Sequence, residues 1–215
     1  MHIDIYSDPV CPWCLIGKRR LEKALETRPV DGLTVKWRPF QLHPHMPAEG
    51  ADRAEFTAAK FGSAERAAET YERVKVVGAD EGLDFRFDKI KRSPNTVDAH
   101  RLLHYADKHD NQDAVSEGLF VDFFFDGHDV SDLDVLVDTA TEAGLDADAV
   151  RAYLESDEDR ELVQNADEEA RALGIQGVPF FVINQKYALS GAQPPEMFVK
   201  ALEDIEAEEV AGADA

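Results

Sequence analysis

The sequence predicts an α/β domain split by a long helical insertion. Three observations carry the prediction. Residues 3–40 run through strand, helix and strand signals; the stretch from about Asp52 to Gly174 is helical almost throughout; and strand signals return at Val178, followed by a last helix. A β-α-β opening and a β-β-α close are the two halves of one sheet-based domain, so the block between them reads as an insertion rather than an independent unit. The predicted boundaries are 1–48 for the first part of the α/β domain, 49–160 for the insertion, 161–207 for the second part, and 208–215 for an acidic tail expected to fray.

Each element has a local cause. Ile3 to Tyr6 alternate briefly as a strand, and Ser7-Asp8-Pro9 closes it with turn chemistry. A helix follows from about Pro12 to Glu26. Proline suits a first helical position, and Leu21 and Leu25 extend an apolar stripe begun near Cys14 and Gly17. Lys18, Arg19, Arg20 and Lys23 lie towards the end that the helix dipole favours for cations. Leu33 to Phe40 alternates as a strand and runs into the proline-rich segment Pro39 to Pro47.

Within the insertion, Asp52 with Glu55 resembles a capping box, and Ser63 to Gly82 is rich in helix-forming Ala, Glu and Arg. Ser93-Pro94-Asn95-Thr96 offers caps and a first-position proline to a helix ending near His109. Ala114 to Phe125 reads as a more apolar helix, and Ser131 opens another that stops at Gly144. Shorter helices fill Asp146 to Glu155 and Asp157 to Leu173, with Gly174 as the stop. Phe180 to Ile183, the turn Asn184-Gln185-Lys186 and Tyr187 to Ser190 then form a hairpin, and Pro194-Pro195 opens a final helix to about Ile205.

Composition bounds the function. The 215 residues are 44% hydrophobic, and no apolar run approaches the roughly 18 residues needed to cross a bilayer. No charged and then apolar leader pattern precedes the first strand, so the expectation is a cytoplasmic protein, where dithiols are usually kept reduced. The net charge of −21, spread along the chain, repels phosphate backbones and anionic membranes. Nucleic acid and membrane are therefore not expected partners, and the acidity reads as surface adaptation, as in a high-salt cytoplasm.

The two cysteines, Cys11 and Cys14, stand together in VCPWCLIG. A structural zinc site would need two further ligands, and no histidine pair follows in a zinc-knuckle spacing. A structural disulfide is disfavoured too, because closing a two-residue loop constrains the unfolded chain little. Position favours redox chemistry. Cys11 falls at a strand-to-helix junction, where free N–H groups and the dipole stabilise a thiolate, and Cys14 lies one turn on and deeper. An exposed, low-pKa outer sulfur attacking a disulfide and an inner thiol resolving the mixed disulfide is the division of labour this spacing provides.

A strand leading to C-x-x-C at a helix start, with Gly-Val-Pro before a C-terminal hairpin, resembles the thioredoxin superfamily. The helical insertion between the halves is similar to the DsbA-like group. SDPVCPWCLIGKRRLEKAL, WRPFQLHPHMP, PNTVDAHRLLHYA and GVPFFVINQKYALSGAQ together resemble its FrnE-like branch, which is related to 2-hydroxychromene-2-carboxylate isomerases and kappa-class glutathione transferases. The resemblance implies a thioredoxin fold with a helical insertion domain, and thiol–disulfide oxidoreductase activity without metal or organic cofactor. It implies Cys11 as nucleophile, Cys14 as resolving thiol and Pro179 as a cis-proline beside them.

On the same resemblance, Pro12, Trp13 and Val178 would contact substrate, the Val178 backbone by pairing with an extended segment. Asn95 and His100 would line the cleft; equally, Asn95 is explained by capping and His100 as a satisfied helical histidine. Phe40, Leu42 and Pro44 are wall or core positions. The sequence departs from classical thioredoxins where these bury a carboxylate six residues before the first cysteine, because that position is Ile5, with Asp4 and Asp8 flanking it. The expected partners are protein or small-molecule thiols and disulfides and a recycling redox partner. The alternative is an isomerase or glutathione-transferase-like enzyme using a thiol cosubstrate in the same cleft.

Overall fold

The computed structural model describes residues 1–213. Strand β1 (His2–Ser7), helix α1 (Pro12–Thr27) and strand β2 (Thr34–Pro39) open the chain, and β1 pairs in parallel with β2, Ile5 lying opposite Trp37. Near the other end come β5 (Phe180–Ile183), β6 (Tyr187–Ser190) and α9 (Pro195–Ala213). β5 runs antiparallel to β1, with Tyr6 opposite Phe180, and the sheet order is β2-β1-β5-β6. The two halves of the chain thus close one four-stranded sheet. Alternation explains the core: Ile3 and Ile5 of β1 and Phe181 and Ile183 of β5 are buried and pack towards α1 and α9 through Leu15, Phe198 and Leu202. The hairpin turn holds Asn184 and Gln185 at positive φ of 49° and 56°, as a two-residue primed turn requires.

Between β2 and β5 lie α2 (Arg53–Phe61), α3 (Ala64–Asp80), α4 (Val97–Asp107), α5 (Gln112–Val121), α6 (Leu133–Glu142), α7 (Ala147–Glu155) and α8 (Arg160–Ala172). A short two-stranded ladder, β3 (Ala51–Asp52) with β4 (Arg92–Ser93), ties the start of α2 to the approach to α4. The cap read at Asp52 is present: its side chain accepts from Glu55 N–H. The structure adds two more, Ser63 accepting from Arg66 N–H and Asp146 from Ala149 N–H. Among the described residues no helix is long and apolar enough to cross a membrane.

Three expectations are corrected. Pro94 does not open a helix: α4 starts at Val97, and Asn95 Oδ1 accepts from Val97 N–H at 2.9 Å just ahead of it. The predicted helix ending at Phe125 begins at Gln112 and changes winding, its last residues Asp122–Asp126 forming a π-helical turn. The wider turn carries Phe123 and Phe124 into the core, where Phe124 meets Phe85 edge-on. The last helix does not stop near Ile205. It continues to Ala213, helped by Glu209, which accepts from Asn184 Nδ2 at 2.6 Å, and by Glu208, which pairs with Lys186. Residues 214–215 of the predicted tail lie outside the described residues.

One side chain holds the insertion's helices together. Arg101 of α4 is fully buried, and its guanidinium donates to the carbonyls of Tyr153, Leu154, Ser156 and Glu158 at 2.8–3.1 Å. Those carbonyls belong to the last turn of α7 and the loop that follows it, and Asp98 completes the set at 2.8 Å. Arg101→Met is expected to lower unfolding free energy by about 3 kcal/mol, because it strands these carbonyls away from water. Urea denaturation checks this, and the m-value should stay near that of the parent.

Candidate active site

The end of β1 and the start of α1 are joined by four residues, Asp8 to Cys11, and this short connection sets the site. Cys11 N–H donates to the Asp8 carbonyl at 2.9 Å, which turns the chain, and Cys11 then occupies the cap position of α1 with φ −97° and ψ 109°. Pro12 follows at the first helical position, where its lack of an N–H costs nothing. A cap residue normally offers a side-chain oxygen to the first-turn N–H groups; here the cap side chain is a thiol and makes no such bond. Cys14 N–H reaches back to the Cys11 carbonyl at 3.0 Å, and its sulfur points inward.

Both cysteines are free thiols. Cys14 is wholly buried, and its pKa is pushed well above the usual thiol range by that burial and then by the Cys11 sulfur, with the Ser7 hydroxyl and the Asp8 N–H acting weakly in the other direction. The attacking sulfur expected to be exposed is nearly covered: Cys11 retains 3% of its accessible surface. Its S–H faces the Val178 carbonyl at 3.6 Å, and it is reached through a cavity of about 290 Å³.

The Val178–Pro179 peptide bond is cis. α1 meets this bend at Gly17, where an added Cβ would stand 2.9 Å from Pro179 Cγ and 3.2 Å from the Phe181 ring, so only glycine lets the helix approach. Cys11, Pro12, Trp13 and Val178 line the cavity together. Leu42, the proposed wall residue, lines it as well, whereas Phe40 is buried beneath the Arg171 guanidinium, 4.2 Å from its ring centroid.

Asn95 and His100 are not among the residues lining this cavity. Asn95 is used structurally, donating to the Met46 carbonyl at 2.6 Å while capping Val97. His100 is buried behind the site and borders a second cavity of about 140 Å³ beside Trp37 and Leu103. Its Nε2 has no hydrogen-bond partner and stands 4.0 Å from Asp8 Oδ1, beyond hydrogen-bond reach. Burial lowers the His100 pKa to about 4, so the ring is neutral at pH 7.

Sequence reasoning left Asp8 as a flanking residue. The structure turns it inward: it keeps 1% of its surface and accepts from Leu42 N–H at 2.7 Å and Val10 N–H at 3.4 Å. Burial raises its pKa to about 7, against the opposing pull of those N–H groups and Thr96. The signal available was its place three residues before Cys11, but strand alternation stops at Ser7 and could not say which way the next side chain points. Arg53 and Lys60 were also missed. Seven residues apart, they share one face of α2 and line the cavity, a spacing legible in the sequence only once α2 is known to face Cys11.

Comparison with known proteins gives a consistent picture. The family described as DSBA-like thioredoxin domain matches residues 2–203. The chain is similar to a probable DsbA oxidoreductase from Streptomyces coelicolor, with 38% identity and a TM-score of 0.88 over 97% of this chain and 91% of that one. It is 29% identical over 208 residues to the uncharacterized protein YwbO of Bacillus subtilis (strain 168), covering 95% of this chain and 96% of that protein. A 2-hydroxychromene-2-carboxylate isomerase shares the fold, with a TM-score of 0.74 at 16% identity over 98% of each chain.

Asp8 makes stability depend on pH. Its carboxyl ionises at about 7 in the folded chain and near 3.8 in the unfolded one, so the folded state holds an extra proton between those values. Its contribution to stability is therefore present below about pH 4 and lost as pH rises to about 7. Asp8→Asn keeps an acceptor for Leu42 N–H without the ionisation. The variant is expected to gain on the parent between pH 5 and 8, by up to roughly 4 kcal/mol, in chemical denaturation followed across that range.

Proposed function

The chain belongs to the DSBA-like thioredoxin domain family, and we propose that it is a thiol–disulfide oxidoreductase working through Cys11 and Cys14. The observation that carries this reading is the unequal placement of the two sulfurs. Cys11 sits at the helix cap on the wall of an open cavity, and Cys14 lies fully buried behind it.

In the reducing direction, the Cys11 thiolate attacks a disulfide R–S–S–R′. A Cys11–S–S–R bond forms, and R′–S⁻ leaves and takes a proton. The attacking sulfur stands at the cap position of α1, on the cavity wall from which a disulfide would approach. Pro12 and Trp13 flank the attacking sulfur, and Trp13, 40% exposed, offers partners an apolar surface. In this reading the Val178 backbone, whose carbonyl lies 3.6 Å from the sulfur, pairs with an extended substrate segment. Pro179 packs against Gly17 of α1, which keeps Val178 beside the sulfur.

Cys14 completes the cycle by attacking the Cys11 sulfur and expelling R–S⁻. Its burial keeps it protonated until then, so the proton must leave as the attack proceeds. Asp8, whose own N–H faces that sulfur and whose carboxyl titrates near 7, is the proposed acceptor. In the opposite direction the Cys11–Cys14 disulfide accepts an incoming thiolate and returns as the dithiol. The proposed setting is a cytoplasm in which a recycling redox partner restores the pair, with protein or small-molecule disulfides as substrates and no metal or organic cofactor.

Insulin-disulfide reduction with a recycling dithiol tests this. Cys11→Ser is expected to fall to the uncatalysed rate, and parent activity no greater than that variant's would overturn the reading. Cys14→Ser should accumulate mixed disulfides on Cys11, visible as mass adducts removed by reductant. Asp8→Asn should slow closure of the Cys11–Cys14 bond at pH 7 by about a hundredfold while leaving the first attack less affected, as rapid-quench measurement of the two steps would resolve.

A further inference from the structure

The cavity in front of Cys11 has a charge that the rest of the molecule does not. The chain carries 44 Asp and Glu against 23 Lys and Arg, yet among the described residues none of those lining this cavity is acidic, while Arg53 and Lys60 both are cations. Elsewhere, covered arginines take carboxylates: Arg19 pairs with Glu117, Arg20 with Glu81, and Arg101 with Asp98. Arg53 does not. Its guanidinium lies 4.9 Å from the Tyr71 ring centroid and 5.9 Å from that of Phe123, and its nearest polar side-chain partner is the Ser93 hydroxyl at 3.5 Å. Burial works against its charge, with only Tyr71 opposing.

Lys60 is likewise without a carboxylate. Its ammonium donates to His43 Nε2 at 3.1 Å. Burial lowers its pKa, the Cys11 sulfur and Asp8 act the other way, and Arg53 reinforces the lowering. The same burial and the two cations hold His43 near 4, so it is a neutral acceptor at pH 7 rather than a third charge. Arg53 is half-buried and Lys60 exposed, and both line this one cavity without a carboxylate, so an anion entering it would meet two cations whose charge no neighbouring side chain cancels. The remaining walls, Trp13, Phe61, Tyr71 and Val74, are apolar or aromatic and suit the organic body of a small molecule.

We propose that Arg53 and Lys60 form a carboxylate-binding subsite, so that the preferred substrates in this cavity are small disulfides and thiols bearing a carboxylate. The inference rests on the thiol–disulfide exchange proposed above and names its substrate class. The guanidinium fork takes the carboxylate in paired hydrogen bonds, the ammonium adds a third, and the sulfur end of the molecule is left towards Cys11. Exchange then proceeds with one disulfide consumed, two small thiols released, and two electrons passing from the Cys11–Cys14 dithiol.

Three symmetrical disulfides of similar length separate the possibilities: 3,3′-dithiodipropionate, dianionic; bis(2-hydroxyethyl) disulfide, neutral; and cystamine, dicationic. The pre-reduced protein is mixed with each and the loss of its thiols followed over a single turnover. A net charge of −21 by itself favours the dication. The subsite predicts that the dianion reacts fastest, and that Arg53→Met slows the dianion about tenfold more than the neutral compound. A dication-first order in the parent, or an equal effect of Arg53→Met on all three, overturns the subsite while leaving exchange intact. No reaction with any of them overturns the exchange reading and the subsite together. Suberate, which matches the dianion in length but has no S–S bond, supplies a second readout: it should protect Cys11 of the parent from iodoacetamide and fail to protect Arg53→Met. Protection unchanged by the substitution also overturns the subsite. Comparison of melting temperatures shows that the variant is folded, and loss of an unpaired charge should not lower it.

Discussion

The antiparallel register of β1 against β5 is the constraint on which the site depends. With Tyr6 opposite Phe180, the end of one strand is held beside the beginning of the other. The residues just outside that ladder are then neighbours by necessity: Cys11 Sγ and the Val178 carbonyl approach to 3.6 Å although 167 positions separate them in the chain. Hydrogen bonding within the sheet fixes this better than contacts between loops could, since a slip of one residue would turn Ile5 and Phe181 out of the core. Gly17 completes the arrangement from the helix side, because its missing side chain lets α1 close onto Pro179.

Charge is handled in opposite ways in different parts of the molecule. Arg101 is fully buried and fully satisfied, and its role is to join α4 to the end of α7. Arg53 is covered but lacks a carboxylate, and Asp8 is buried with two N–H groups but no ion pair. Interiors keep polar groups that are satisfied; those left incompletely satisfied cluster where chemistry is done. Here they converge on the space around the two cysteines. The strong acidity of the surface makes the contrast sharper, since counter-ions for Arg53 were abundant in the sequence and are absent from the cavity wall.

The insertion supplies more than bulk. α2 and α3 close the cavity over α1 with Arg53, Lys60, Phe61, Tyr71 and Val74, while the sheet domain contributes the sulfurs. The ladder of β3 with β4 anchors the start of α2, and with it Arg53, whose N–H donates to the Lys91 carbonyl at 3.0 Å. The proposed division, with substrate selection on one part and bond exchange on the other, leaves the cavity wall free to vary without disturbing the cysteine geometry.

By itself the sequence determined the split α/β order, the helix cap at Asp52, the hairpin at Asn184-Gln185, and the pairing of C-x-x-C with a distant Val-Pro. These are properties of short segments, set by backbone propensity, side-chain spacing and turn chemistry, and so are legible locally. Tertiary structure alone decided the rest. Asp8 lies in a turn whose side-chain direction depends on the Leu42 N–H that receives it, and Asn95 became a cap rather than a cleft wall because Met46 and Val97 were brought to it. His100 was buried behind the site by the packing of α4, and the cavity charges came from a helix folded over from the insertion. Which groups meet, and which are left without a partner, depends on long-range packing that no window of sequence contains.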